Sequence, residues 1–217
     1  MDLRNLQDQA VSQLTATRMV HDVLASRFCK AQYIRYMLDV YCYALHSSQV
    51  IATAGARLAL SNPPLADYLF SHAREELGHD RWAHSDLVDL GLQPDAISSV
   101  EPSAACLRMI GLEYLYAAHL NPVGLFGWLY VLESLGGKIG GQLAAIVDET
   151  LRLEGKALYF LKGHADADAH HSEDLFRIIS DHVNSEDDRH AFCRVYRESL
   201  DLYCQVLDSA WTAAAQD

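Results

Sequence analysis

Apolar residues recur at every third or fourth position along most of the chain, which is the spacing of amphipathic α-helices. Strict alternation of apolar and polar residues, the pattern of a half-buried strand, is not found, and the helix formers alanine and leucine are frequent. The pattern predicts seven helices, at about 5–28, 30–61, 65–91, 101–120, 123–153, 156–183 and 186–214.

Breaks between these helices are marked by residues that end or begin helices. The five prolines lie in or beside the breaks, at Pro63, Pro64, Pro94, Pro102 and Pro122. Asp89-Leu90-Gly91 is typical of a helix C-cap, and Ser103 is a suitable N-cap. Because the connections are short and no repeat is found, we expect one all-α domain over residues 1–217. Its architecture would be an up-and-down bundle of about seven helices.

Charge narrows the range of partners. The 217 residues carry 29 acidic and 17 basic side chains, a formal net charge of −12. Such a surface repels phosphate backbones and anionic lipids, so we expect neither nucleic acid nor membrane as a partner. Bound cations would neutralise part of this charge if some carboxylates are metal ligands.

Localisation is predicted from three further features. The N-terminal segment is polar from its second residue, so no signal peptide is expected. No apolar run reaches the roughly 20 residues that span a bilayer. The five cysteines show no CxxC spacing and are odd in number, which favours reduced thiols. We therefore expect a cytoplasmic protein.

Glycines are concentrated between Gly124 and Gly141, in GLFGWLYVLESLGGKIGG. A glycine inside a helix costs about 0.5–1 kcal/mol relative to alanine, so this cluster needs a reason. Two reasons are considered: a kink or close approach of the backbone to a ligand, and close packing of helices through small residues.

The first group of candidate ligands lies in the sequence HAREELGHD. Glu76 and His79 are three residues apart, Glu75 and His79 four, and His72 and His79 seven, all of which share a helix face. Glu-x-x-His is the pairing by which helical bundles hold di-iron or di-manganese centres. Chance matches on solvated helices are common, so this pattern alone is weak.

The second group lies in HADADAHH. His164, Asp168 and His171 occupy positions i, i+4 and i+7, so a helix aligns all three in one stripe. Two imidazoles and a carboxylate can hold a divalent transition metal and leave positions open for oxygen or substrate. The alternative is an acidic helix N-terminus that complements the helix dipole.

Glu133 is the sole carboxylate in the apolar stretch from Pro122 to Gly137. Burying an ionised carboxylate without a partner costs several kcal/mol or more. A bound metal would compensate this cost directly; hydrogen bonds from a tyrosine or from backbone near the glycines are the alternative. Together the three groups supply three carboxylates and three histidines, which suits a two-iron site.

At these residues the sequence resembles the heme-oxygenase-like di-iron oxidase and oxygenase superfamily. This superfamily contains iron-containing redox enzymes and shares its fold with thiaminases, the PQQ-synthesis protein C and heme oxygenases. The resemblance extends from about Tyr33 to Leu202 and rests on REELGHDRW, LYVLES and FLKGHADADAHH. It implies that the metal ligands are Glu76, His79, Glu133, His164, Asp168 and His171. Glu75 is an alternative to Glu76, and His46 is a further candidate.

The resemblance also implies a function. Such proteins bind iron, here two Fe(II) ions with Mn as an alternative, and activate O2 through a peroxo-type intermediate to oxidise a small organic molecule. We expect Glu76, Glu133 and His164 to act directly in catalysis. The partners would be O2 and the small-molecule substrate, and a homodimer and an electron donor are the further partners considered.

Three other functions are considered. A heme oxygenase would use a proximal histidine such as His21, in LTATRMVH, and the glycines of LYVLESLGG near heme. A thiaminase-like hydrolase would need a nucleophilic cysteine, for which Cys42 and Cys106 are candidates. The third is a metal-binding helical bundle without catalytic activity.

Overall fold

The computed structural model describes residues 1–213, with the side chains of 134, 135, 137, 138, 165–171, 212 and 213 outside the described part. The helices within it are α1 (Leu3–Thr15), α2 (Arg18–Leu24), α3 (Lys30–Leu58), α4 (Pro63–Glu76), α5 (His79–Asp89), α6 (Pro94–Ser98), α7 (Ala104–Ala118), α8 (Leu125–Leu135), α9 (Gly141–Leu151), α10 (Tyr159–His182) and α11 (Glu186–Ala213). A 3-10 turn (Pro122–Gly124) precedes α8, and a π-helical segment (Gly136–Gly140) joins α8 to α9. Residues 1–213 contain no β-strand.

The all-α class is confirmed, but the predicted number of about seven helices is too low, because residues 1–213 form eleven. The predicted helix 5–28 is divided at Thr17, whose hydroxyl accepts a hydrogen bond from the Val20 amide and so begins α2. The predicted helix 65–91 is divided at Leu77 and Gly78. The segment 94–98 forms the additional short helix α6, and 123–153 is divided by the π-helical segment.

Several predicted helix ends are confirmed at the level of individual hydrogen bonds. The side chains of Asn62 and Ser103 accept hydrogen bonds from the amides of Leu65 and Cys106, and so begin α4 and α7. Gly91 adopts φ +98° directly after α5, as the predicted C-cap requires. Turn and cap chemistry therefore fixes the ends of the helices that border the centre of the molecule.

Helix α3 is the central element of the core. It packs against α4, α5, α7 and α11, and residues such as Met37, Val40 and Ile51 are fully buried on it. Helix α10 packs against α5, α8 and α4, and lies beside the π-helical segment. Ser47, His72, Glu76, Glu133 and His164 come together in the space between α3, α4, α8 and α10. None of the helices described is long and apolar enough to cross a membrane.

Candidate metal centre

Glu76 and His79 meet across a helix break. Glu76 is the last residue of α4 and His79 the first of α5, and between them Gly78 adopts φ +103°. The three-residue spacing predicted both on one face of a single helix, but the helix breaks between them. Their side chains nevertheless meet, with His79 Nδ1 3.2 Å from Glu76 Oε1. Left-handed backbone is a conformation that glycine adopts without a steric penalty, so Gly78 permits this turn.

His164 reaches the same carboxylate from α10. Its Nε2 lies 3.8 Å from Glu76 Oε1, while its Nδ1 lies 3.0 Å from the carbonyl oxygen of Phe160. Since a carbonyl oxygen only accepts hydrogen bonds, Nδ1 carries the proton and donates it. Nε2 is therefore the ring nitrogen that faces Glu76; its lone pair can bind a metal ion, or it can carry a second proton towards the carboxylate when no metal is bound.

Three side chains form a cluster that fits a divalent transition metal. They belong to Glu76, His79 and His164, and this cluster is called the metal group. One donor atom from each residue lies within 4.8 Å of the other two. Two ligands about 2.1 Å from one ion are roughly 3.0–3.4 Å apart at ordinary coordination angles. The 3.2 Å between His79 Nδ1 and Glu76 Oε1 lies in this range, and the 3.8 Å from His164 Nε2 to the same oxygen is a few tenths of an ångström longer. His79 Nδ1 is buried and has no well-aligned hydrogen-bond partner among the described residues, as expected for an atom that faces an ion rather than a hydrogen-bonding group.

The carboxylate of Glu76 is ionised. Burial alone would raise its pKa, but interactions with His79, His164 and His72 outweigh burial and lower the pKa to about 2. Glu113 on α7 gives the contrast, because burial without such partners raises its pKa well above the usual range. The imidazoles around Glu76 thus favour an anion at this position, which is the form that binds a cation.

Other side chains hold the group in place. The Ser47 hydroxyl lies 3.2 Å from Glu76 Oε2, the oxygen that does not face His79 and His164, and 3.0 Å from the Ala44 carbonyl oxygen, so its one proton is shared between these two acceptors. Trp82 stacks on His79 with ring centroids 4.1 Å apart. Trp82 also lies against Gly163 of α10, where an added Cβ would be 2.7 Å from a Trp82 ring atom. Such supporting contacts orient metal ligands and tune their affinity.

Glu133 lies nearby but has a different partner. Its side chain is buried, and Oε1 lies 3.5 Å from Nε2 of His72, which is itself 3% exposed. The His72 ring stacks on Tyr68 with centroids 5.7 Å apart. His72 and Glu133 therefore form a second carboxylate–imidazole pair, which lines the same cavity as Glu76 and His164.

The remaining candidates fall into two classes. Glu75 is directed towards Ser71, with 43% of its side chain exposed, so Glu76 rather than Glu75 belongs to the group. His46 Nδ1 lies 3.0 Å from the Tyr114 hydroxyl of α7, and the structure does not bring His46 into the group. The side chains of Asp168 and His171 lie outside the described residues.

A cavity of about 100 Å³ lies beside Glu76, His164, His72 and Glu133. The polar members of its lining near the metal group are Ser47, His72, Glu76, Glu133 and His164. Most of the remaining wall is apolar and includes Trp128, Leu129, Leu132, Phe160 and Leu161. Gly136 and Gly140 of the π-helical segment also line it, so the glycine cluster brings backbone close to the cavity. A few polar groups in an apolar cavity are typical of a small-molecule site.

The residues needed for the rival functions are differently placed. Cys42 and Cys106 are buried; burial raises the pKa of the Cys42 thiol to about 11 and that of Cys106 still further, so neither is an activated thiolate. The His21 side chain is 66% exposed beside Asp22 and does not line the cavity, so it is not placed as a proximal heme ligand.

Sequence reasoning did not select His72, Ser47 or Trp82 as part of the site. The seven-residue spacing between His72 and His79 was the available signal, since it puts both near one helix stripe. Ser47 carried no signal, because a serine in a long helix has many ordinary roles. Trp82 gave no signal that separates a role beside the ligands from ordinary packing.

The helical fold thus holds a carboxylate–imidazole group that could bind a metal ion, beside a mainly apolar cavity. The family model for iron-containing redox enzymes matches residues 34–204. The chain belongs to this family, and the family prediction made from REELGHDRW, LYVLES and FLKGHADADAHH is confirmed.

Comparison with solved structures confirms the fold. A domain of unknown function with a heme oxygenase-like fold from Shewanella denitrificans is 28% identical, with a TM-score of 0.89, covering 99% of this chain and 94% of that one. A TenA homolog from Pseudomonas syringae pv. tomato is 13% identical, with a TM-score of 0.78 and coverage of 97% and 91%.

Heme oxygenase-1 from the cyanobacterium Synechocystis, in complex with heme, is 16% identical, with a TM-score of 0.71 and coverage of 98% and 94%. At this level of identity the likeness concerns the fold alone. No significant match was found among curated proteins.

Proposed function

We propose that this chain is an iron-dependent oxidase or oxygenase that uses O2 to oxidise a small organic molecule. The observation that carries the proposal is the convergence of Glu76, His79 and His164 from three helices at one end of a mainly apolar cavity. Membership of the iron-containing redox enzyme family supports iron as the metal. Carboxylate and imidazole donors also accept Mn(II), so the choice of metal is part of the test.

Two ions would be held by two groups of ligands. Glu76, His79 and His164 would hold the first through the donor atoms that face one another. The second would be held by Glu133 and His72, whose Oε1 and Nε2 lie 3.5 Å apart, together with Asp168 and His171. The i+4 and i+7 spacing from His164 supports the last two residues as ligands, although their side chains lie outside the described part.

When bound, iron supplies the electrons that reduce O2 and a positive charge that neutralises the carboxylates. The residues of the chain have separate tasks. Ser47 fixes the second oxygen of Glu76, and Phe160 keeps the proton on His164 Nδ1. The apolar wall excludes water and leaves room for a substrate beside the ligands. An external electron donor would complete the cycle if the substrate does not supply all the electrons.

The ligand assignment is tested by metal binding. His164→Ala removes one of three donors, so we expect iron binding at the first site to be lost while the second retains iron. Iron content and affinity after anaerobic titration with Fe(II) provide the measurement. His84→Ala is the control, because His84 lies on α5 like His79 but packs against Tyr41, outside the group. An unchanged stoichiometry and affinity in His164→Ala would refute the assignment.

Redox activity needs a separate measurement. Protein loaded anaerobically with Fe(II) and mixed with O2 should consume O2 faster than the same concentration of Fe(II) in buffer, and His164→Ala should lose most of this advantage. Uptake no faster than in buffer, with iron bound at the expected stoichiometry, would instead support the metal-binding bundle without catalytic activity.

A further inference from the structure

Three tyrosines line the cavity together with the metal group. Tyr36 and Tyr43 lie on α3 and Tyr203 on α11, and each is at most 6% exposed. The hydroxyls of Tyr36 and Tyr203 are 3.5 Å apart, and the rings of Tyr43 and Tyr203 meet edge to face with centroids 6.4 Å apart. These three residues, the tyrosine cluster, form the part of the cavity wall with the most hydroxyl groups.

The tyrosine cluster is offset from the metal group along α3. Ser47, which contacts Glu76, follows Tyr43 by four residues and Tyr36 by eleven. At 1.5 Å per residue these separations correspond to about 6 Å and about 16 Å along the helix axis. Phe160 and Leu161 of α10 also line the cavity, so its wall offers apolar contacts besides the hydroxyl groups.

The charges around the cavity select the kind of group that fits beside the tyrosines. Among its described lining residues, the cavity has two carboxylates, Glu76 and Glu133, and no lysine or arginine. A substrate anion at the tyrosine end would thus lack a cation, and an uncompensated buried charge is costly. Burial raises the pKa of Tyr36 and raises that of Tyr43 well above its usual value, so both hydroxyls stay neutral.

The three hydroxyls form one hydrogen-bonded network: Tyr36 contacts Tyr203, at 3.5 Å, and Tyr43, and Tyr43 contacts Tyr203. The Tyr36–Tyr203 contact is longer than the ordinary O–H···O separation of about 2.5–3.0 Å. Each phenol has one donor and two acceptor lone pairs, so the network keeps lone pairs that can accept from a ligand hydroxyl, and that hydroxyl can in turn accept from a tyrosine. A neutral group that both donates and accepts therefore matches the tyrosine cluster best.

We propose that the tyrosine cluster is a specificity site for the neutral hydroxyl head group of a small, mainly apolar substrate. The inference rests on the proposed function, because it takes the substrate to bind in the cavity beside the metal group. A cavity of about 100 Å³ has room for roughly seven to ten atoms of water size, which sets the scale of the substrate. Free amino acids and carboxylic acids are disfavoured by the lack of a cation in the described lining.

Three probes of similar size isolate the head group: 4-methylphenol, toluene and 4-methylbenzoate. Their binding to metal-free protein at pH 7 is measured by calorimetry, or by ligand NMR where affinity is low. We expect 4-methylphenol to bind about tenfold more tightly than toluene, and 4-methylbenzoate to bind most weakly. Undetectable binding of 4-methylphenol at millimolar concentration, equal binding of toluene, or tightest binding of 4-methylbenzoate would each overturn the proposal.

Variants that remove single oxygen atoms locate the preference. Tyr36→Phe, and separately the double variant Tyr36→Phe/Tyr203→Phe, should bind 4-methylphenol and toluene almost equally. Tyr130→Phe is the matched control, because Tyr130 is equally buried but donates its hydroxyl to the Leu3 carbonyl and does not line the cavity. If Tyr36→Phe is folded by circular dichroism and keeps the full preference for 4-methylphenol, the tyrosine cluster is not the specificity site.

The probes bind without iron, so this experiment and the iron titration fail independently. Loss of the head-group preference with normal iron binding would reject the specificity site alone. Normal preference in a protein that binds no iron would reject the proposed function alone.

Discussion

The two carboxylate oxygens of Glu76 have separate partners. Oε1 faces the imidazoles of His79 and His164, at 3.2 Å and 3.8 Å, whereas Oε2 accepts a hydrogen bond from Ser47. A carboxylate held at one oxygen presents the other in a fixed direction, which lowers the conformational entropy lost when a metal binds. Ser47 of α3 therefore helps to orient the carboxylate of Glu76, the proposed metal ligand.

Replacing Ser47 with alanine tests this role. The hydrogen bond to Glu76 is lost while all three donor groups remain, so we expect metal affinity to fall by about tenfold, within the range typical of such supporting contacts. Fe(II) or Co(II) titration under anaerobic conditions measures it.

Ser48→Ala is the control for that substitution. Ser48 is the next residue on α3 and donates to the Ala73 carbonyl at 2.8 Å, without touching Glu76, His79 or His164. Equal losses of affinity in the two variants would assign the effect to α3 packing rather than to the hydrogen bond.

Residue type and local spacing predicted Glu76, His79 and His164 as metal ligands, and the structure brings these three side chains together, although from three helices and not from the two predicted. Residue type and spacing were not sufficient for His72. Its partner Glu133 lies on α8, and nothing local to either residue encodes a contact between distant helices. The choice between Glu75 and Glu76 likewise depended on the direction in which α4 presents its last turn.

At the scale of elements, the break between α4 and α5 sets how closely Glu76 and His79 approach each other. His79 Nδ1 reaches Glu76 because the chain turns at Gly78, with φ +103° and ψ 2°, and begins a new helix. The turn leaves Leu77 73% exposed, an unusual position for leucine in a continuous amphipathic helix. The separation between Glu76 and His79 thus depends on the angle between two helices as well as on side-chain rotamers.

Gly78→Ala tests the contribution of this turn. An added Cβ at Gly78 meets no atom within 4 Å, so the cost is backbone strain alone, about 1–2 kcal/mol in the left-handed region. If His79 moves to relieve the strain, metal affinity should fall by about tenfold, since 1.4 kcal/mol is tenfold in affinity. Iron titration and denaturant unfolding of the metal-free protein measure the two effects.

Gly91→Ala provides the matched control. Gly91 has φ +98° and equally open surroundings, but it ends α5 on the side away from His79. It should lose similar stability and keep its metal affinity. A parallel loss of affinity in both variants would mean that global strain, and not the turn at residue 78, weakens the site.

The accuracy of the predicted elements followed the strength of the local signal. Proline and strong caps marked the starts of α4 and α7, and those boundaries were predicted to within a few residues. The break at Gly78 was missed because a single glycine is tolerated inside a helix, and only tertiary packing decides whether the chain turns there. The division into α1 and α2 was missed for the same reason, since Thr17 also fits a helix interior.

At the scale of the whole molecule, α10 is attached to the rest of the fold by a capping residue that comes from α5. Asp86 is fully buried, and its two oxygens accept hydrogen bonds from the amides of Tyr159 and Phe160, at 2.8 Å and 2.9 Å. Leu158, the residue that precedes α10, has no side-chain cap of its own. Asp86 therefore fixes the start of the helix that carries His164.

This contact makes global stability depend on pH. Burial raises the pKa of Asp86 from its ordinary 3.8 to about 6, although the two amide hydrogen bonds oppose the rise. The folded state then holds the proton more tightly than the unfolded state. The stabilisation of the folded state by this proton on Asp86 is complete below pH 3.8 and is lost as the pH rises through about 6.

We expect Asp86 to contribute about 1.4 kcal/mol more to the free energy of unfolding at pH 5 than at pH 7. Denaturant unfolding of metal-free protein at pH 5, 6 and 7 measures the change. Residue 86 cannot titrate in Asp86→Asn, so the free energy of unfolding of this variant should lack the pH-dependent contribution. Any stability lost through the altered cap should be the same at all three pH values. Parallel pH profiles for the two proteins would contradict the assignment.

The contact between Asp86 and the start of α10 also orders the events of synthesis. Glu76 and His79 leave the ribosome well before His164, which follows Glu76 by 88 residues. A nascent chain that has made only α4 and α5 holds two of the three donors of the first site. On the proposed ligand assignment, stable capture of a metal ion by these three side chains waits until α10 has been made and Asp86 has capped it.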